Sequence, residues 1–460
     1  MLREFRNAPH PPSPSSCKGE GEQEIFLIPL SFARRGARGE VFKNSRNRTL
    51  TEELKQIMAN WQVIAGGVTA AKGYKAAGII AGLKPSGAPD LTLIASDVPA
   101  IAAGVFTKSC VRAACVDFNR EVLAKGCPVS AILCNAGQAN ASTGAEGWQN
   151  AVECGVLVQQ ALNTSDGVLV ASTGVIGKQL LMDKMRAGIA KIAPLISPDG
   201  GEDASRSIMT TDTVPKSIAL ETVIDGKPVR IGGICKGSGM IHPNMATMLG
   251  FVTCDAGVEP KLWQTMLSRS IDASFNQVTV DGDTSTNDMV LALCNGQSGV
   301  TIDDENSDAA QQLQSMLQEV CMSLAKAIAR DGEGATCMIE VNVTGASSTV
   351  AARQIAKTIV GSSLVKSAVF GNDPNWGRIA AAAGRSGVDF NQDVLNIQLG
   401  DFVMMKDGTP QAYDRNAASD YLKNDTVIIN VGVGDGIGDG TAWGCDLSYD
   451  YVKINAEYTT

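Results

Sequence analysis

From Ser307 to about Arg330 the apolar residues Leu313, Met316, Leu317, Val320, Cys321, Leu324 and Ile328 keep three-and-four spacing. That spacing specifies one long amphipathic helix with a single buried face. Directly after it the period changes. Ile339, Val341 and Val343 alternate with Glu340 and Asn342, and Leu395, Ile397 and Leu399 alternate with Asn396 and Gln398, the two-residue period of half-buried strands. Upstream, Leu91–Ala95 and Ala131–Cys134 read as buried strands and Trp148–Leu162 as a helix. Gly167–Ala171 reads as a strand that ends in a turn at Thr173-Gly174. A chain of 460 residues that alternates these periods folds as mixed α/β (α+β), with sheets covered by helices and core enough for more than one domain.

Composition narrows the function classes. A formal net charge of −9 argues against nucleic acid or an anionic membrane as partner. No apolar run approaches the roughly 18–20 residues of a membrane span. The twelve cysteines are scattered without a Cys-x-x-Cys pair. Several sit in apolar runs, such as Cys134 in Ala-Ile-Leu-Cys and Cys294 in Leu-Ala-Leu-Cys, so they read as small buried hydrophobes in a reducing, cytosol-like compartment. With two histidines and no acidic cluster of ligand spacing, no resident metal is expected. The run Gly432–Gly440 places glycine at every second position. It is neither a dinucleotide fingerprint nor a P-loop and reads as a turn-rich loop.

Residues 1–57 differ from the rest. Pro9–Ser16 is of low complexity, arginine is frequent between 34 and 48, and the segment carries ten Lys and Arg against seven Glu. It lacks the apolar stretch of about 7–15 residues found in a secretory signal, and Glu20, Glu22 and Glu24 are foreign to a transit peptide. The expectation is a disordered, dispensable extension, with Met58-Ala-Asn-Trp61 opening the folded region.

The segment with most chemistry is Lys236-Gly-Ser-Gly-Met-Ile-His-Pro-Asn-Met-Ala-Thr247. Its glycines, its proline and the small Ala246 allow a tight turn in which the Thr247 hydroxyl can attack the preceding carbonyl. Once the chain is cut, a threonine can use its own α-amine as base, whose reference pKa is about 7.7–8. A histidine-based apparatus would have to use His242, because His10 lies in the polar tail. On residues alone the segment also fits a glycine-rich turn before a strand.

The same residues resemble the self-cleavage segment of the ornithine acetyltransferases, the bifunctional glutamate N-acetyltransferases of arginine biosynthesis. Further segments match that family in order: Ser172-Thr-Gly-Val-Ile-Gly177, Thr210-Thr-Asp-Thr-Val-Pro-Lys216, Asp281-Gly-Asp-Thr-Ser-Thr-Asn-Asp288, Asp331-Gly-Glu-Gly-Ala-Thr336, Phe370-Gly-Asn-Asp-Pro-Asn-Trp-Gly-Arg378 and Asn455-Ala-Glu-Tyr-Thr-Thr460. The similarity runs from about Trp61 to the last residue.

The resemblance implies a four-layer αββα sandwich in two domains, related to self-processing aminopeptidases. It implies cleavage between Ala246 and Thr247 into an alpha chain, 58–246, and a beta chain, 247–460, with two copies of each in a heterotetramer. The implied reaction moves the acetyl group of N2-acetylornithine to glutamate through an acetyl-Thr247 intermediate, with acetyl-CoA as a second donor and no cofactor. Thr173 and Gly174 are the implied oxyanion donors. Thr210 (with Thr213 nearby), Lys236, Glu333, Asn455 and Thr460 are the implied substrate-binding residues. A bacterial cytoplasm is the expected compartment, with a plastid as the alternative if the extension is a transit peptide. A self-processing aminopeptidase or amidase, with water as acceptor, is the competing function.

Overall fold

The computed structural model describes residues 61–242 and 248–457. The extension 1–57, Met58, Ala246, Thr247 and Thr460 lie outside the described residues. In chain order the first strands are β1 (Trp61–Ile64), β2 (Tyr74–Ile79), β3 (Leu91–Phe106), β4 (Val129–Gln138), β5 (Gly167–Val175), β6 (Lys216–Ile224), β7 (Lys227–Lys236), β8 (Leu249–Cys254) and β9 (Gly257–Val258). They are followed by β10 (Val278–Thr279), β11 (Met289–Cys294), β12 (Thr301–Ile302), β13 (Met338–Ala346), β14 (Asn396–Leu399), β15 (Phe402–Lys406), β16 (Thr409–Pro410), β17 (Thr426–Gly432) and β18 (Gly438–Cys445). The helices are α1 (Ala114–Ala124), α2 (Gly144–Leu162), α3 (Met182–Ile192), α4 (Gly201–Ser207), α5 (Pro260–Asp272) and α6 (Asp308–Arg330). Then come α7 (Thr349–Val360), α8 (Ser363–Phe370), α9 (Trp376–Gly384), α10 (Arg415–Tyr421) and α11 (Tyr449–Glu457).

The larger sheet runs β1-β6-β7-β8-β11-β3-β4-β5, with β2 also paired to β3. Its key strand is β3. The first half of β3 pairs with β2 and β4, the second half with β11, and the register shifts between Ala95 and Ala100. A strand that changes partners across such an irregularity turns a corner, so the sheet folds into two halves.

Side-chain alternation shows how the halves pack. Along β8 and β11, Leu249, Phe251, Met289, Leu291 and Leu293 share one core with β2, β4, β5 and with α1, α2 and α3. Their neighbours Val252, Cys254, Val290, Ala292 and Cys294 belong to a second core with α5 and α6. The layers therefore run α5–α6, half-sheet, half-sheet, α1–α3, the αββα order that the resemblance implies. The long helix forms where its spacing predicts. Ser307 caps it, its hydroxyl accepting from Ala310 N at 3.2 Å, and Leu313, Met316, Leu317, Val320, Cys321, Leu324 and Ile328 are all buried.

The second sheet, β10-β18-β13-β17-β14-β15-β16, shares a third core with α7, α8, α9 and α10. Met338, Trp443 and Cys445 join the core of α5 and α6, so α6 is packed between the two sheets. Lys326 of α6 anchors this contact, reaching Glu340 Oε2 at 3.1 Å and lying 5.3 Å from the Trp443 ring. The glycine-rich run is partly strand, since Gly438 and Gly440 belong to β18. No helix among the described residues is long and apolar enough to cross a membrane.

Candidate functional site

One end of the larger sheet carries the site. Antiparallel pairing of β7 with β8, in which Lys236 faces Leu249, and parallel pairing of β8 with β11, in which Leu249 faces Met289, bring the end of β7 and the starts of β8 and β11 together. A cavity of about 430 Å³ opens there. Its walls include Thr173, Gly174, Thr210, Lys236, Glu333 and Asn455. Apart from Thr213, these are all the sequence-predicted site residues that fall within the described region, drawn from β5, the segment after α4, β7, the segment after α6, and α11. Met248 also lines the cavity and directly follows Thr247 in the chain.

Thr173 and Gly174 do not form a turn. β5 stays in parallel register with β4 as far as Gln138↔Val175, so Gly174 lies opposite Gly137. Gly174 has φ +123°, and a Cβ there would sit 2.4 Å from the Gly137 carbonyl carbon. Two glycine backbones thus pass closer than any side chain allows, which keeps the strand pair intact to the cavity edge.

Lys236 is half-buried, and its ammonium donates to Thr210 Oγ1 at 3.2 Å. Glu333 is 9 % exposed, and its carboxylate accepts from Asn455 Nδ2 at 2.9 Å. Gly239 leaves room beneath it, since a Cβ at 239 would lie 2.3 Å from the Glu333 carboxylate and push that side chain aside. The cavity therefore holds a cation with a hydroxyl on one wall and a carboxylate with an amide on another. Thr213 does not join it. Its hydroxyl and amide turn to the Asp331 carboxylate instead.

A buried charge cluster behind the wall sets this geometry. Lys216 Nζ lies 2.7 Å from Asp212 Oδ1 and 2.5 Å from Asp331 Oδ2, and all three side chains are at most 7 % exposed. The Asp212 carboxylate also accepts from Thr210 N at 3.0 Å and Gly237 N at 2.7 Å. It thereby ties the backbone of Thr210 and of Gly237, the residue after Lys236, to one anchor. Burial alone would raise the Asp212 pKa, but the Lys216 and Lys236 cations outweigh it and hold the carboxyl below its ordinary value. Lys216 answers in kind: burial would lower it, and Asp212 raises it above its ordinary value.

Two contributors were not predicted from sequence. Asn287 is 5 % exposed and lines the cavity. Its amide donates to Ala139 O at 2.5 Å and Ser172 O at 2.7 Å, which fixes β5 just before Thr173. Asp281 accepts from Met240 N at 2.6 Å and Ile241 N at 2.8 Å and holds the strap that follows Gly239, where Met240 takes a left-handed φ of 54°. Both belong to the quoted Asp281–Asp288 motif, so the signal was present without a role attached. His242 does not line this cavity. It borders a different one, with Nδ1 2.9 Å from Thr279 Oγ1, and burial pushes its pKa down to about 4.

Comparison with known proteins agrees with the resemblance. Residues 75–460 match the ArgJ family. The arginine biosynthesis bifunctional protein ArgJ of Synechocystis is 62% identical over 413 residues, covering 88% of this chain and 100% of that protein. The chloroplastic ArgJ of Physcomitrium patens is 52% identical over 410 residues, covering 87% of this chain and 79% of that protein. Among solved structures, ArgJ from Bacillus halodurans aligns with 47% identity and a TM-score of 0.45, covering 45% of this chain and 98% of that one.

Proposed function

The chain belongs to the ArgJ family, and from that premise and the cavity geometry we propose how it works as an arginine-biosynthesis acetyltransferase. The Thr247 hydroxyl attacks the acetyl carbonyl of N2-acetylornithine while its own α-amine, freed by cleavage of the Ala246–Thr247 bond, accepts the hydroxyl proton. The tetrahedral intermediate collapses by breaking the C–N bond. Ornithine leaves with that proton on its amine, and the acetyl group stays as an ester on Thr247. The amine of glutamate then attacks the ester, N-acetylglutamate departs, and the threonine hydroxyl regains its proton.

Thr173 and Gly174 receive the developing oxyanion, the hydroxyl of one and the amide of the other donating to it. Lys236 and Thr210 take the α-carboxylate that both substrates share, as a charge-assisted pair. Glu333, held by Asn455, takes the ammonium of the ornithine side chain, and Thr460 closes the same pocket. Acetyl-CoA enters as a second donor substrate that reaches the same acyl-enzyme. The transfer balances without an oxidant, reductant or metal, and no resident cofactor is assigned. Cleavage leaves two fragments, assembled as a heterotetramer of two alpha and two beta chains, in a bacterial cytoplasm or, as for the chloroplastic relatives, in a plastid.

The observation that carries this reading is the convergence of Thr173, Gly174, Thr210, Lys236, Glu333 and Asn455 on one cavity lined also by the neighbour of Thr247. Its test is product analysis. Purified protein given N2-acetylornithine and glutamate should yield ornithine and N-acetylglutamate in equal amounts. Hydrolysis of N-terminal residues with glutamate ignored would favour the aminopeptidase alternative.

Two substitutions probe the walls. Lys236→Met should raise KM for both N2-acetylornithine and glutamate by about 10–100-fold, the worth of a lost hydrogen bond to a charged group. A rise for only one substrate would show that the shared carboxylate is held elsewhere. Gly174→Ala forces β4 and β5 apart at the cavity edge, and a displacement near 1 Å costs on the order of 10²-fold in rate. Steady-state kcat on the folded variant measures it.

A further inference from the structure

A second cavity, of about 700 Å³, lies between α7, the end of α5 and the C-terminal end of α9. His242, Asp272, Gln277, Arg353, Lys357 and Arg385 border it. Arg353 and Lys357 are one helical turn apart on α7, both half-buried along the flank of its buried face of Ala352, Ile355, Ala356, Ile359 and Val360. Like charges at that spacing weaken a helix. Neither Arg353 nor Arg385 has an ion pair or a side-chain hydrogen bond among the described residues. Asp272 is the single carboxylate of the described lining, and it accepts from Asn276 Nδ2 at 2.7 Å.

Burial pushes the Lys357 ammonium down to about 8, the response of a cation in a poorly hydrated site, and an anion beside it would reverse the effect. His242 adds a neutral ring. Two guanidinium groups with no ion pair among the described residues, and a desolvated ammonium around the same hollow, make the recognition chemistry of phosphate, with planar forks that bind its oxygens in pairs.

We propose that this cavity seats phosphate groups between Arg353, Arg385 and Lys357. Its position also suggests which phosphates. Met240 borders the acetyl-transfer cavity and His242 borders this one. Two residues of extended chain span at most about 7 Å, so a single strap separates the two hollows. The nucleotide phosphates of an acyl thioester can rest here while its acyl end reaches the first cavity. That assignment rests on acetyl-CoA being a donor, as proposed above, whereas the phosphate seat does not.

The test is calorimetric titration of the full-length protein and the Arg353→Ala/Arg385→Ala variant with coenzyme A and, separately, with inorganic phosphate, alongside steady-state kinetics. Loss of the two contacts should weaken coenzyme A binding and raise KM for acetyl-CoA by about 10-fold or more, while KM for N2-acetylornithine, read on the same preparation, stays within about twofold. Retained turnover of N2-acetylornithine certifies that the variant is folded.

Phosphate binding that depends on the two arginines, with coenzyme A bound equally by both proteins, would keep the seat and assign it to a free anion. If the wild-type protein makes no N-acetylglutamate from acetyl-CoA, the donor reading fails by itself, and the phosphate titration still decides the seat. Equal affinity of the two proteins for both probes overturns the proposal.

Discussion

Thr247→Ala yields a single uncut chain with no acetyl transfer. This is the largest effect the mechanism predicts, because one substitution removes the attacking oxygen twice. Without the hydroxyl, the Ala246–Thr247 bond has no internal nucleophile, so the chain stays whole. Without cleavage there is no free α-amine, so no base remains. The described histidine cannot replace it: His242 borders the other cavity and hydrogen-bonds Thr279. Removal of a nucleophile that acts as a unit with its base costs about as much as removing both, on the order of 10⁶ in kcat in the best-studied hydrolase. Gel electrophoresis and a product assay measure both consequences. Thr247→Ser keeps the hydroxyl and should keep part of the cleavage and part of the activity. An uncut Thr247→Ala chain that retained transfer would refute the mechanism.

The second large effect is on stability. Lys216→Met leaves Asp212 and Asp331, 0 % and 7 % exposed at the side chain, without their shared cation. Breaking a buried ion cluster by removing one partner costs about 3–5 kcal/mol, because the remaining charges stay desolvated. The loss should appear as a lower urea midpoint. The sign of the pH dependence follows from Asp212. Its carboxyl is held below the ordinary value by Lys216 and Lys236, so the wild type binds fewer protons there than its unfolded chain does in mildly acidic solution. The stability it contributes is present above the unfolded carboxylate value and is lost as pH falls through the depressed one. Lys216→Met should blunt that acid sensitivity. The triple variant Lys216→Met/Asp212→Asn/Asp331→Asn should recover part of the lost stability, whereas a single variant as stable as wild type would contradict the account. Activity should fall with either variant, since Asp212 holds the backbone of Thr210 and Gly237.

The sequence made the regular elements legible where one period ran without interruption. The helix 308–330 and the strand 338–346 were clear for that reason. β3 was legible only as far as Ala95. The following Ser96-Asp97-Val98-Pro99 breaks the alternation, and proline cannot donate to a ladder. The structure passes this stretch as an irregularity and continues to Phe106, which is what folds the sheet into two layers. Gly174 was read as a turn because glycine punctuates chains. Its reason is tertiary, a close crossing with Gly137 that lies 37 positions away and leaves no local mark.

The site was legible chiefly through long motifs that resemble a family, and the described members of it converge on one cavity. What the motifs did not reveal was support. Asn287 sits in a polar run without periodicity and reads as loop, although it ties Ala139 and Ser172 together. The Asp212–Lys216–Asp331 cluster was equally hidden, because charged residues are rarely buried and only the fold brings Asp331 to the other two.

The most direct test of the central claim is an intact-mass spectrum of the purified protein, with N-terminal sequencing, before and after incubation with N2-acetylornithine and no glutamate. The account predicts two chains, one of them beginning Thr247-Met-Leu-Gly. That fragment alone should become one acetyl group heavier, and glutamate should then strip the group off. A single uncut chain that nonetheless transfers acetyl groups, or an acetyl group trapped on any other residue, would contradict it.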